Sequence, residues 1–464
     1  MIRALVLLTI GSSVLRAQPT LSPAVRQYVV ADSPVVTIRN VRVIDGTGAA
    51  PRENQTVVIR DGRIAAIGAT TGAYQGHVID GTGKSLIPGL VMLHEHLFYP
   101  IGQGMYGEQP SFPRLYLAAG ITTARTGGSM DPYADINIKR AIDDGRIPGP
   151  SLDVTAPYIN GPNPFTQMHL VRTPDEARRH VSYWADAGAT SFKAYMQISR
   201  ETLRAAVDEA HKRGMKITGH LCSVTFREAA EIGIDNLEHG LVAASDVIPG
   251  KRPDTCPGGA GQVVSHLDVS SDTTVRSIIR ALVDRKVALT STLAVFEVSV
   301  PGRPSLSREV MELMTAEGQL RYLRGRLAST SNPNNPWAQA LKNEMRFEKM
   351  FADAGGLLVV GTDPTSYGGV IAGPASQMAI ELLVEAGFTP LEAIRIATLN
   401  GATYLGRADR IGTIAVGKNA DLVLIDGNPA ERIGDIDRVE IVFKDGIGYD
   451  AAKLVAGARG TVGN

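Results

Sequence analysis

Two textures of hydrophobic and polar positions divide the chain. Residues 35–44 alternate apolar and polar side chains before Asp45-Gly46, residues 55–60 do so before Asp61-Gly62, and residues 63–67 follow. A period of two predicts half-buried strands, and Asp-Gly between two such runs predicts a tight hairpin. Residues 420–427 and 440–446 repeat that texture near the C-terminus. Neither end is long enough for a comfortable domain of its own. The pattern therefore predicts one small β-sandwich domain built from both chain ends, residues 35–86 and 408–464, since termini often lie close together.

The middle of the chain has a different rhythm. Thr173-Pro174-Asp175-Glu176 reads as a capping box with proline at the first helical position. The helix it opens runs to about Ala187, Gly188 stops it, and a short apolar run leads to Lys193. The unit then repeats. A helix from about Arg200 ends at Gly214 before a run leading to His220, and one over 226–231 ends at Gly233 before a run leading to His239. A last helix over 346–354 ends at Gly355-Gly356 before a run leading to Asp363. Strands alternating with helices imply parallel pairing. Further strands are predicted at 121–125, 152–156 and 287–292, and one ends in the apolar run before His94. Eight βα units over residues 87–407 suit a (β/α)8 TIM barrel, with a helical, polar insertion over about 294–343. The fold class expected is thus α/β.

His94 and His96 close the apolar run Pro88-Gly89-Leu90-Val91-Met92-Leu93. Side chains alternate along a strand, so both imidazoles project to one side. Alone, such a His-x-His is as well read as two polar residues at a strand end. The rest of the pattern changes that: His94, His96, Lys193, His220, His239 and Asp363 all fall at C-terminal ends of predicted strands, the face where such barrels keep their sites. Lys193 fits poorly, because a buried ammonium would repel metal cations unless its charge were reversed.

Charge adds an exclusion. Lys+Arg and Asp+Glu both number 47, which argues against nucleic acid or an anionic membrane surface as the main partner. Residues 1–17 have the form of a secretory signal peptide, one early arginine, an apolar stretch and Ala17 at the cut, so an exported protein, periplasmic or secreted, is expected with no stable membrane insertion. Export permits a disulfide between Cys222 and Cys256, and two free buried thiols are an equal alternative.

Taken together, Pro88-Gly89-Leu90 before His94-Glu95-His96, then Lys193, His220, His239 and Asp363, and the run from Gly412 to Val423 resemble the amidohydrolase superfamily. The resemblance covers nearly the whole mature chain and points to the binuclear branch with a carboxylated lysine. Within it the chain looks closest to Xaa-Pro dipeptidase-like, ochratoxinase-like and imidazolonepropionase-related hydrolases.

That resemblance implies two divalent metal ions and N-carboxylation of Lys193 by CO2. His94, His96 and Asp363 would hold one ion, His220 and His239 the other, with the Lys193 carbamate between them. Zinc suits an imidazole-rich site, and manganese or cobalt is compatible with it. A metal-bridged hydroxide would attack the carbonyl carbon of an amide bond in a small-molecule substrate. Asp363, the catalytic residue, would carry a proton to the leaving nitrogen. The expected activity is dipeptidase- or carboxypeptidase-like cleavage of a C–N bond. Hydrolysis of cyclic amides, lactones or esters is the alternative, and a non-catalytic scaffold of the same fold is a further one. Relatives imply a homo-oligomer. For substrate contacts, Arg125 at the end of strand two could pair with a carboxylate, and Tyr195, two residues beyond Lys193, could meet the carbonyl oxygen. A structural role is an equal alternative for both, and the better reading for His169 and Tyr367.

Overall fold

The computed structural model describes residues 20–69, 76–162 and 167–463. The expected signal peptide over residues 1–17 lies outside them. Among the described residues no helix is long and apolar enough to cross a membrane.

Eight short parallel strands carry the middle of the chain: β1 (Leu90–Glu95), β2 (Ile121–Thr126), β3 (Ser151–Asp153), β4 (Ser191–Ala194), β5 (Lys216–Gly219), β6 (Asn236–Glu238), β7 (Ala288–Ser291) and β8 (Leu358–Val360). Ladder pairing gathers them into a three-stranded sheet in the order β3-β2-β1 and a five-stranded sheet β4-β5-β6-β7-β8. A few hydrogen bonds outside the ladders cross both seams. Beyond β3, isolated parallel bridges join Thr155 to Ser191 and Ile159 to Ala194. At the other seam the amides of Thr362 and Asp363 both donate to the His94 carbonyl, at 3.1 and 3.0 Å. The pairing is therefore two sheets touching at two seams, where a single continuous ladder was expected.

Nearly every residue of these strands is buried, as parallel strands covered by helices on their connections require. The helices follow from their caps and stops. Thr173 Oγ1 accepts from the Glu176 amide at 3.2 Å, while the Glu176 carboxylate reaches back to the amide of Arg172, one residue short of a full capping box. Gly188 and Gly233 end their helices at φ 114° and 103°, a conformation that costs glycine little. The last helix starts earlier than its pattern predicts and runs Trp337–Asp353.

Both chain ends do meet in one β-unit. Ser85–Pro88 pairs antiparallel with Leu422–Ile425, and Val29–Ala31 pairs with Ile447–Asp450. The expected sandwich of two sheets is not what the hydrogen bonding gives, since all nine strands belong to one mixed sheet. Val36, Ile38, Val57, Leu422, Leu424 and Phe443 form a cluster of their own within it. Two of the Asp-Gly turns behave as predicted: Asp61-Gly62 and Asp445-Gly446 have φ of 49° and 75°, and of 51° and 84°, both positive as a two-residue turn of this kind needs. Asp45-Gly46 does not form a tight turn, although the strands on either side still pair, Val43 opposite Arg52. Its Asp45 carboxylate accepts from Thr47 N and Oγ1 at 2.9 and 2.6 Å, which starts a longer loop.

Cys222 and Cys256 form a disulfide, so the alternative of two free thiols falls. The link spans a sequence separation of 34, and loop-closure entropy assigns such a link roughly 3–4 kcal/mol. Replacing both cysteines by serine should lower the stability read from urea unfolding by about that amount. An unchanged midpoint would contradict it.

Candidate functional site

The ends of β1, β4, β5 and β6 and the segment after β8 converge on one cavity of about 340 Å³. His94, His96, Lys193, Tyr195, His220, His239 and Asp363 all line it. Every predicted metal-ligating position is thus brought together. The imidazole centroids lie 5.3 Å apart for His94 and His96, 4.7 Å for His94 and His239, and 4.3 Å for His220 and His239. Asp363 Oδ1 is 3.1 Å from His96 Nε2 and 3.8 Å from His94 Nε2, and Oδ2 is 3.8 Å from His239 Nδ1. Lys193 Nζ sits 3.2 Å from His94 Nε2.

The backbone makes room for this crowding. A Cβ on Gly127, just past β2, would come within 2.2 Å of the His94 ring, and one on Gly361, just past β8, within 2.4 Å of its Cβ. His239 and Asp363 both adopt left-handed φ, 70° and 55°. Non-glycine residues hold that conformation at a cost that the surroundings must offset. At His239 one such support is visible: Glu344, buried beneath the following turn, accepts from the Val242 amide at 2.8 Å.

Hydrogen bonds behind the rings fix their orientation. His94 Nδ1 lies 2.8 Å from Glu238 Oε2, and donation there turns the Nε2 lone pair to the cavity. His96 Nδ1 is 3.3 Å from the Gly128 carbonyl, and His239 Nδ1 is 2.8 Å from Thr292 Oγ1. Glu238 in turn accepts from Arg125 Nη2 at 2.6 Å and from the Thr218 hydroxyl. Burial pushes the Glu238 carboxyl up, but His94, Arg125 and Lys193 outweigh it and hold it well below the ordinary range.

Arg125 is engaged behind the site. It is 1% exposed, its Nε donates to the Leu93 carbonyl at 2.8 Å and Nη1 to the Tyr404 hydroxyl at 3.2 Å, and it is absent from the cavity wall. All residues of β2 are buried, so the sequence offered no alternation from which to tell its two faces apart. Tyr195 does line the cavity, with its ring 4.8 Å from His220. His169 packs on His180 and Tyr367 donates to the Val298 carbonyl, both outside the cavity wall. Sequence reasoning missed Glu238, although its place directly before His239 was the available signal.

The donor set suits a divalent metal. Ligand atoms of His94, His239 and Asp363 lie within 4.8 Å of one another. Burial holds His96 down to about 4 and His220 to about 3, and lowers His239 well below its ordinary value, so these imidazoles keep their lone pairs near neutral pH. Burial also lowers Lys193 to about 8, which raises the share of free amine able to take up CO2. Glu238→Gln should weaken zinc affinity about 10- to 100-fold, read by chelator competition, because a neutral amide oxygen replaces the carboxylate that accepts from His94. Unchanged affinity would remove Glu238 from the site's support.

Residues 85–448 match the model of the Amidohydrolase family. The chain is 25% identical over 422 residues to a dihydroorotase of Pelotomaculum thermopropionicum, covering 85% of this chain and 90% of that one. It is 23% identical to an imidazolonepropionase of Geobacillus sp., covering 81% and 84%. A candidate prolidase from Bifidobacterium longum superposes with a TM-score of 0.64 at 25% identity, covering 91% of this chain and 98% of that one. With a family model spanning most of its length, the chain belongs to the amidohydrolase family and is a hydrolase of carbon–nitrogen bonds.

Proposed function

We propose that this protein is an exported, metal-dependent hydrolase that cleaves an amide bond of a small substrate. The observation that carries the reading is the convergence of His94, His96, Lys193, His220, His239 and Asp363 on one cavity. We read the eight parallel strands as a (β/α)8 barrel over residues 87–407, beside a β-domain from 35–86 and 408–464. The Cys222–Cys256 disulfide supports export to an oxidising compartment.

His94, His96 and Asp363 would hold one divalent ion and His220 and His239 the other, with a Lys193 carbamate between them. Bound ions supply an acidified water and an electrophile for the substrate carbonyl. The chain's own residues do the rest. The Lys193 amine attacks CO2 and loses a proton, which turns a cation into an anion. Burial pushes the Asp363 carboxyl up, but His94, His96 and His239 outweigh it, so Asp363 is ionised and able to accept a proton. It takes that proton from the attacking water and delivers it to the leaving nitrogen as the C–N bond breaks. Thr365 Oγ1, 3.0 Å from Asp363 Oδ1, steadies the carboxylate.

A second reading, hydrolysis of cyclic amides, is favoured by the matches to a dihydroorotase and an imidazolonepropionase, each covering more than four-fifths of both chains. Zinc-loaded protein tested on dipeptides, N-acyl amino acids, cyclic amides and lactones separates the two. Turnover of linear amides is expected, and turnover of lactones or cyclic amides alone would overturn the linear reading.

A further inference from the structure

The wall of the cavity beyond the polar centre consists of two aromatic faces. On one side Phe98 stacks on His96, with centroids 4.2 Å apart and planes 23° apart, and Tyr106 meets Phe98 edge-on at 5.2 Å. On the other side Tyr158 meets Tyr195 edge-on at 4.9 Å, and Tyr195 lies against His220. Met130, Met168, Gly104 and Thr365 complete the lining.

Both faces are braced. A Cβ on Gly128 would come within 2.3 Å of the Tyr158 ring, so that ring lies flush on bare backbone. Tyr106 sits on the antiparallel hairpin of Phe98–Gly102 and Met105–Glu108. Gln167 clamps its backbone from both directions, accepting from the amide at 2.8 Å and donating to the carbonyl at 2.9 Å. Braced aromatic rings suit a flat partner, since aromatic pairs favour edge-to-face and offset contacts with centroids 4.5–7 Å apart. Among the described lining residues the charged side chains are Lys193 and Asp363, both facing the histidines. The tyrosines provide a neutral polar edge.

We propose that the cavity selects substrates carrying an uncharged aromatic group next to the scissile amide, in preference to a small or an anionic one. The proposal rests on the hydrolase reading for the place of the scissile bond, whereas the aromatic subsite itself is testable by binding alone.

The test compares N-acetyl-L-phenylalaninamide, N-acetyl-L-alaninamide and the free acid N-acetyl-L-phenylalanine on the zinc-loaded full chain by titration calorimetry, with product formation followed in parallel. The phenylalaninamide is expected to bind about 10- to 100-fold tighter than the alaninamide, the gain expected from burying a benzyl group against aromatic walls. The free acid is expected to bind no tighter than its amide. Tyr106→Ala, on the hairpin, should shrink the ratio severalfold with zinc content unchanged, and Tyr158→Phe should keep the ratio. Equal affinities for the two amides, or a free acid that binds tenfold tighter than its amide, would overturn the proposal. The predicted ratio without hydrolysis of either amide would leave the subsite standing and remove the linear-amide reading instead.

Discussion

Lys193→Ala is expected to lose bound metal and to lower kcat/KM by more than about a thousandfold, the scale on which removing one member of a catalytic unit disables it. Lys193 is 1% exposed and its Nζ lies 3.2 Å from His94 Nε2 and 6.0 Å from the Tyr158 ring centroid. As an ammonium it would place a positive charge among the groups that bind cations. As a carbamate it supplies the anion that a pair of divalent ions needs. Alanine leaves a space there without that charge. Added acetate or formate should therefore restore part of both metal content and activity, because a small carboxylate can occupy the space. Full activity in Lys193→Ala without any additive would sink the carbamate assignment.

The second large effect belongs to Asp363. Asparagine keeps the shape and the Thr365 contact but cannot accept a proton. General acid–base catalysis contributes typically 10²–10⁴-fold, so kcat of Asp363→Asn should fall by about that much while the protein stays folded and still binds metal through the histidines. The loss should depend on the leaving group. A nitroanilide or activated ester needs less protonation at the departing atom than an alkyl amide, and should lose less rate. Wild-type kcat on both substrate types, with metal retained, would show that Asp363 carries no proton.

The legible part of this site was its list of ligands. His220, His239, Lys193 and Asp363 could be found because each follows the same helix, glycine and apolar run, a pattern that places them at one end of a parallel sheet whatever the loops do. Partners behind the ligands were hidden for a physical reason. In β1, β2 and β6 every residue is buried, so no alternation marks which side chains face the cavity and which face away. Arg125, read with equal weight as a substrate contact or a structural residue, is bonded to Glu238, and Glu238 was passed over. The hairpin bearing Tyr106 was equally silent, since Pro100, Gly102 and Gly104 break the alternation that would have announced it. In the two-ended β-unit, alternating runs identified strands well but did not distinguish one nine-stranded sheet from two stacked ones, because both bury one face of each strand.

On this reading the cavity works through two divalent ions held by His94, His96, Lys193, His220, His239 and Asp363. Titrating metal-stripped protein with zinc, while counting bound ions and following amide hydrolysis in the same samples, tests it most directly. Activity should be absent without metal and should reach its plateau as occupancy approaches two ions per chain. Full turnover at a reproducible one ion per chain, or in protein stripped of metal, would contradict the account.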